Sequence, residues 1–230
     1  MRSMMRTIRH DPDVAVRDIL VVCLADALVG ASLGAIAVAS GLSWWLPVLL
    51  SVVVFAGASQ FVFVGVLASG GTVLAAALGA LLINGRLTPL AFSVAPLLGD
   101  KASTRLLGAH LVTDESVAFA TAATTTAGRR RTYWFSSIVL FVLWNLGVLV
   151  GTAVGSVVAD SDALGLDAAF PAVLLALVMP ALRDRITRRA ALAGAVVALL
   201  ANTVVPAGVS VVVALAVVVP IVLRRERSAS

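Results

Sequence analysis

ILVVCLADALVGASLGAIAVASGL, residues 19–42, is an apolar run broken by a single carboxylate at Asp26. It is too long for the core of a signal peptide. About 20 mostly apolar residues suffice to cross a bilayer as a helix, so it reads as a retained membrane span. Further runs of the same kind follow it. Of the 230 residues 60% are hydrophobic and 13% charged, and the mean hydropathy is +1.06. Soluble proteins average about 45–50% apolar and about 25% charged residues. Such a chain could not cover its surface with polar groups in water, and it is too apolar to stay disordered. The fold class is therefore all-α: a polytopic helical membrane protein.

The candidate spans are about 18–41, 45–69, 72–98, 105–127, 132–158 and 164–182. Two shorter runs, about 188–204 and 207–223, are separated by Pro206. The stretch 105–127 is ambiguous, because it carries His110, Asp114, Glu115 and many threonines. The formal net charge of +5 sits in clusters between the runs: Arg2/Arg6/Arg9/Arg17, Arg129–Arg131, Arg183/Arg185/Arg188/Arg189 and Arg224/Arg225/Arg227. Cationic loops stay cytoplasmic, and this spacing argues against a nucleic-acid partner. Eight crossings with both termini cytoplasmic bring every arginine cluster to that side and leave Asp160, Asp162 and Asp167 outside. Dropping 105–127 alone would put Arg129–Arg131 on the wrong side. The eight-crossing count places the 99–104 loop, with Lys101, outside.

This divides the chain into a cytoplasmic tail (1–17), one transmembrane transport unit (18–223) and a short cytoplasmic tail (224–230). An internal duplication over 18–127 and 132–223 is suggested. Leu81-Leu82-Ile83-Asn84 before Pro89 and Ser93 resembles Leu199-Leu200-Ala201-Asn202 before Pro206 and Ser210, and Gly30/Gly34 have counterparts at Gly147, Gly151 and Gly155. Short apolar motifs also recur by chance. Eight crossings imply parallel halves, whereas inverted halves require a re-entrant early segment. Transporters built from repeats hold substrate at the repeat interface near mid-membrane.

Ionisable groups inside a bilayer cost at least about 2.5–3.5 kcal/mol and mark function by default. Asp26, Arg86, Asp114 and Glu115 qualify, with His110 nearby. One carboxylate can pair with Arg86; the others must be neutral, hydrated or matched by a cation. His110 and Asp114, four residues apart, would share a helix face and suit a proton path or an ammonium site. Solvated charges at the interface are the alternative for that segment, and a polar helix–helix contact is the alternative for Asp26. Phe55-Ala56-Gly57-Ala58-Ser59-Gln60-Phe61 interrupts a greasy span with small residues and one amide, which suits close packing or a local break lining a cavity. A break would free N–H groups for a carboxylate. Asn84-Gly85-Arg86, just before Pro89, repeats the theme. Candidate substrate contacts are therefore Gly57, Ser59, Gln60, Asn84, Arg86, Asp114 and Glu115. Candidate proton-coupling groups are Asp114, Glu115, His110 and Asp26. The glycine ladders read as packing surfaces, and Trp44-Trp45 and Tyr133-Trp134 as interface anchors.

Enzymatic chemistry is not expected. There is no phosphate-binding loop of the G-x-x-x-x-G-K-[ST] type and no His-Glu-x-x-His zinc site. Cys23 is the only cysteine, so no internal disulfide forms, and no metal or cofactor is implied. A Ser59/His110 hydrolase is disfavoured because Gly57-Ala58-Ser59-Gln60 is not followed by the glycine that a tight nucleophile turn favours.

Gly30-x-x-x-Gly34, Gly41, Ser51, residues 55–61 and Asn84-x-Arg86 together resemble the signature of AzlC-like branched-chain amino acid permeases. Thr113-Asp114-Glu115 with Phe119-Ala120, and the stretch Asp167 to Pro171, continue the resemblance over about 20–180. One position departs, Leu28 standing where many members have proline. The resemblance implies export of branched-chain amino acids (valine, leucine, isoleucine) across a prokaryotic cytoplasmic membrane, with a small AzlD-like membrane subunit as partner. Weak discrimination by an aliphatic pocket makes methionine a further candidate. An ammonium would meet Asp114 or Glu115, and a carboxylate Arg86 or the N–H groups around Gly57–Gln60. The competing readings are a non-transporting membrane scaffold whose buried charges pair among themselves and an exporter of another small zwitterion.

Overall fold

The structure, a computed structural model, describes residues 14–157, 179, 181–183, 185–205 and 213–214. The expected spans over 164–182 and 207–223, the acidic loop and most of both tails lie mainly outside these residues. Helices α1 (Val16–Ala39), α2 (Trp45–Val53), α3 (Gly57–Ala68), α4 (Val73–Asn84) and α5 (Leu87–Val94) are followed by a 3₁₀ turn (Ala95–Leu97). Then come α6 (Ala102–His110), α7 (Asp114–Ala122), α8 (Thr126–Val157) and, after a second 3₁₀ turn (Ala181–Arg183), α9 (Arg185–Ala201). No strand occurs among the described residues. Large apolar side chains such as Leu28, Phe92, Leu106 and Val150 are exposed on outward faces, as a lipid solvent allows. This is a helical membrane protein.

Two described helices, α1 and most of α8, are long and apolar enough to cross a membrane, and the bent pair α4–α5 makes a third candidate. The segments expected as single crossings at 45–69 and 105–127 are each split. Helices of 9 and 12 residues form the first, and two of 9 residues form the second. At 1.5 Å per residue none of these four reaches across a core of about 30 Å.

The glycine ladders define the direction of the chain. A methyl group added at Gly147, Gly151 or Gly155 would collide with the carbonyl of Ala27, Ala31 or Ala35, and one at Gly30 or Gly34 with that of Trp144 or Val148. The matched positions rise together along both chains, so α1 and α8 run parallel, backbone against backbone. Both begin at one end of the molecule, here the near end. The α4–α5 pair finishes at that end, where Gly99 abuts the Arg130 guanidinium and Leu97 and Leu98 pack with Tyr133. Because α4 and α5 bend by only 45°, α4 starts at the far end. The α2–α3 hairpin lies between the far end of α1 and the start of α4. It therefore enters from the far end, turns at 54–56 and leaves where it came in.

The α6–α7 hairpin mirrors it from the near end. It starts beside Gly99 and is tied by the Tyr133 hydroxyl donating to Gly108 O at 2.6 Å. Its tip reaches His110, whose ring lies 6.0 Å from that of Phe141. It returns to Ala123, whose carbonyl accepts from Arg129 Nε at 3.1 Å. The Gly99–Lys101 loop thus lies at the same end of the molecule as Arg130. The cause is the pair of returning hairpins, which the continuous apolar runs concealed.

Candidate functional site

Three helix breaks converge at mid-height. Pro89 sets the first: it has no N–H to donate to Gly85 O, and its ring would clash with that carbonyl in a continuous helix. The helix therefore ends at Asn84 and restarts at Leu87, with Pro89 in its first turn. At the second, Phe55 adopts a left-handed conformation (φ 42°), costing about 1–3 kcal/mol in a non-glycine residue. Its ring is held edge-on to Phe141 at 4.9 Å and near His110 at 6.3 Å. The third break has its own cap. Thr113 Oγ1 accepts from Ser116 N–H at 3.1 Å, and Ser116 Oγ accepts from Thr113 N–H at 3.0 Å, a reciprocal capping box. Asp114 and Glu115 follow in the first turn of α7, where the helix dipole favours carboxylates.

A cavity of about 310 Å³ opens between these breaks. Its polar wall carries Asp26 from α1, Asn84 and Arg86 from the bent pair, and Asp114 and Glu115 from α7. Its apolar wall is Val29, Phe55, Phe61, Leu140 and Trp144. Arg86 Nη2 and Asp114 Oδ2 form an ion pair at 2.9 Å, with the side chains 55% and 42% exposed. Asp26 Oδ2 is buried with no partner among the described residues, and its charge repels that of Glu115. The starts of α3, α5 and α7 all border the space, so positive helix ends surround it.

Of the expected substrate contacts, Gly57, Ser59, Asn84, Arg86, Asp114 and Glu115 line this cavity, as does Asp26. Ser59 is fully buried and its hydroxyl donates to Ala56 O at 2.8 Å, so it offers no nucleophile to His110. Gln60 stands apart: its Oε1 accepts from Trp144 Nε1 at 3.1 Å, behind the wall. His110 and Asp114 do not share a helix face, because α6 ends at His110 and α7 begins at Asp114. Instead, His110 Nε2 bonds the Val52 carbonyl at 2.9 Å and borders a second space with Thr88 and Ala91. Trp144, Val29, Leu87, Val112 and Leu140 are cavity residues that sequence reasoning missed, as is the role of Phe55 in the wall. A tryptophan within an apolar span gives no periodic signal, and Phe55 was read only as part of a small-residue stretch.

The AzlC protein family matches residues 21–158, the segment holding every residue of the cavity. A protein named "Uncharacterized membrane protein" from Helicobacter pylori (strain ATCC 700392 / 26695) is 27% identical over 179 residues, 77% of this chain and 78% of its own length. A protein of the same name from strain J99 / ATCC 700824 is 28% identical over 154 residues, 66% and 67% of the two chains. No solved structure matches.

Proposed function

The chain belongs to the AzlC family, a family of membrane transport, and from that premise we propose that it is a secondary transporter exporting branched-chain amino acids. The observation that carries this reading is the Arg86–Asp114 pair set beside Glu115 and Asp26 in a cavity with an aliphatic and aromatic far wall. A zwitterion fits that pattern. Its carboxylate takes Arg86, its ammonium takes Asp114 or Glu115, and its side chain meets Val29, Leu140 and Trp144. The substrate thereby replaces both partners of an internal ion pair, so neither charge is left unmatched as it binds. Three carboxylates against one guanidinium leave room for a proton as well, which suits coupling to the proton gradient through Asp114, Glu115 and Asp26. One methylene in an apolar pocket is worth only about 1–3 kcal/mol, so valine, leucine, isoleucine and methionine are all substrates.

The setting is the cytoplasmic membrane of a prokaryote, with a small AzlD-like subunit as partner. Within residues 14–157 the chain direction supports three crossings and two re-entrant hairpins rather than five crossings. With the later spans crossing as expected the total is six, and both termini remain cytoplasmic. Parallel α1 and α8 require an odd number of crossings between them, and either count satisfies this. Arg17 and Arg129–Arg131 thus face one side, as cationic segments should.

The test is efflux from cells fed a valine- or leucine-containing dipeptide, expressing this chain with and without the small subunit. Wild type should lower internal branched-chain amino acid, and Asp114→Asn or Glu115→Gln should abolish export against a gradient while leaving exchange. No difference between wild type and empty cells, with protein present in the membrane, would point to a scaffold.

A further inference from the structure

The largest side chain of the cavity's apolar wall is held in place. Trp144 is 6% exposed and is fixed on three sides. Its indole N–H donates to Gln60 Oε1 at 3.1 Å. A methyl group at Gly57 would stand 2.8 Å from its Cη2, and one at Gly30 would stand 3.4 Å from its Cδ2. At Gly57 the ring occupies the space a side chain would take, whereas at Gly30 the Trp144 carbonyl, 2.9 Å away, does so and the ring lies in contact. Gln60 is itself 1% exposed on the following turn of α3, so its buried amide has one visible task, to hold the indole. The same ring borders the cavity together with Leu140 and Asp114.

We propose that Trp144, pinned by Gln60 and seated on Gly30 and Gly57, is the residue that sets the upper size limit of the transported side chain. Flexible apolar walls discriminate weakly between aliphatic groups, so exclusion of larger ones needs a side chain that cannot move aside. Phe55 is also held, between Phe141 and His110, but Trp144 is the larger ring and the one fixed by a hydrogen bond. This inference rests on the cavity holding an amino acid's side chain. Gln60 acts through the indole and is a positioning residue.

Efflux of phenylalanine and valine is measured in parallel from cells fed Phe- or Val-containing dipeptides, for wild type, Trp144→Ala, Trp144→Phe and Gln60→Leu. Wild type exports valine and little phenylalanine. The phenylalanine-to-valine ratio rises about tenfold or more in Trp144→Ala, the scale of a methylene or more of added room, and less in the other two. Gln60→Leu keeps the ring and frees it, so it reports on the pin even where Trp144→Ala does not accumulate. An unchanged ratio in every variant that accumulates, with wild-type valine export intact, overturns the assignment to Trp144 alone. Absence of amino-acid export by wild type overturns the transport reading and this inference with it.

Discussion

Arg86 and Asp114 meet at 2.9 Å across the gap between the bent span and the near-end hairpin. Both are half exposed to the cavity, so water and substrate can reach them. A lysine at position 86 would keep the charge but lose the planar fork that grips a carboxylate through two bonds. Arg86→Lys should therefore weaken leucine binding about tenfold and leave thermal stability unchanged, as read by a binding isotherm and a melting curve on the same sample. Equal affinity in the two proteins would remove Arg86 from the carboxylate site. Asp26, by contrast, has a buried oxygen without a partner among the described residues and borders the same cavity.

The α1–α8 contact is the strongest structural statement made by single elements. A side chain at Gly151 would occupy the place of the Ala31 carbonyl, and overpacking of this kind costs about 3 kcal/mol or more when backbone must move. Gly151→Val should fail to accumulate or melt far below wild type. A normal melting curve would show that the helices are not in contact. The ladders were legible as packing surfaces, but small residues at four-residue spacing do not name their partner, so their mutual pairing was not. The break at Asn84–Arg86 was legible because Pro89 forces it, and the one near Phe55 because small residues interrupt a greasy run. The break at 111–113 was hidden: hydropathy runs through it, and Thr113-Asp114-Glu115 reads as charge before it reads as a helix cap. Read as a cap, it would have ended α6 before Asp114 and separated His110 from the carboxylates.

At the scale of the whole molecule, two hairpins enter from opposite ends and bring their tips to one cavity beside a broken span. Transporters place substrate where discontinuous helices meet near mid-membrane, and unwound backbone is tolerated there because it lines a cavity. Helices α1 and α8, which open the two expected halves, run parallel. Asn84 closes α4 and Asn202 directly follows α9. The topology has a direct consequence. A cysteine at Gly70, in the α3–α4 turn, should react with an impermeant thiol reagent from outside, whereas one at Lys101 or Thr124 should react only from the cytoplasm. Reaction of Gly70 and Lys101 positions from the same side would refute the hairpins. The claim on which all of this converges is that the cavity holds a zwitterion. Binding of labelled L-leucine to the purified chain in lipid nanodiscs should be saturable, should be displaced by valine, and should resist both 4-methylpentanoate and 3-methylbutylamine, which lack the ammonium and the carboxylate respectively. Displacement by either single-charged analogue as strong as that by valine, or no saturable binding with or without the small subunit, would contradict it.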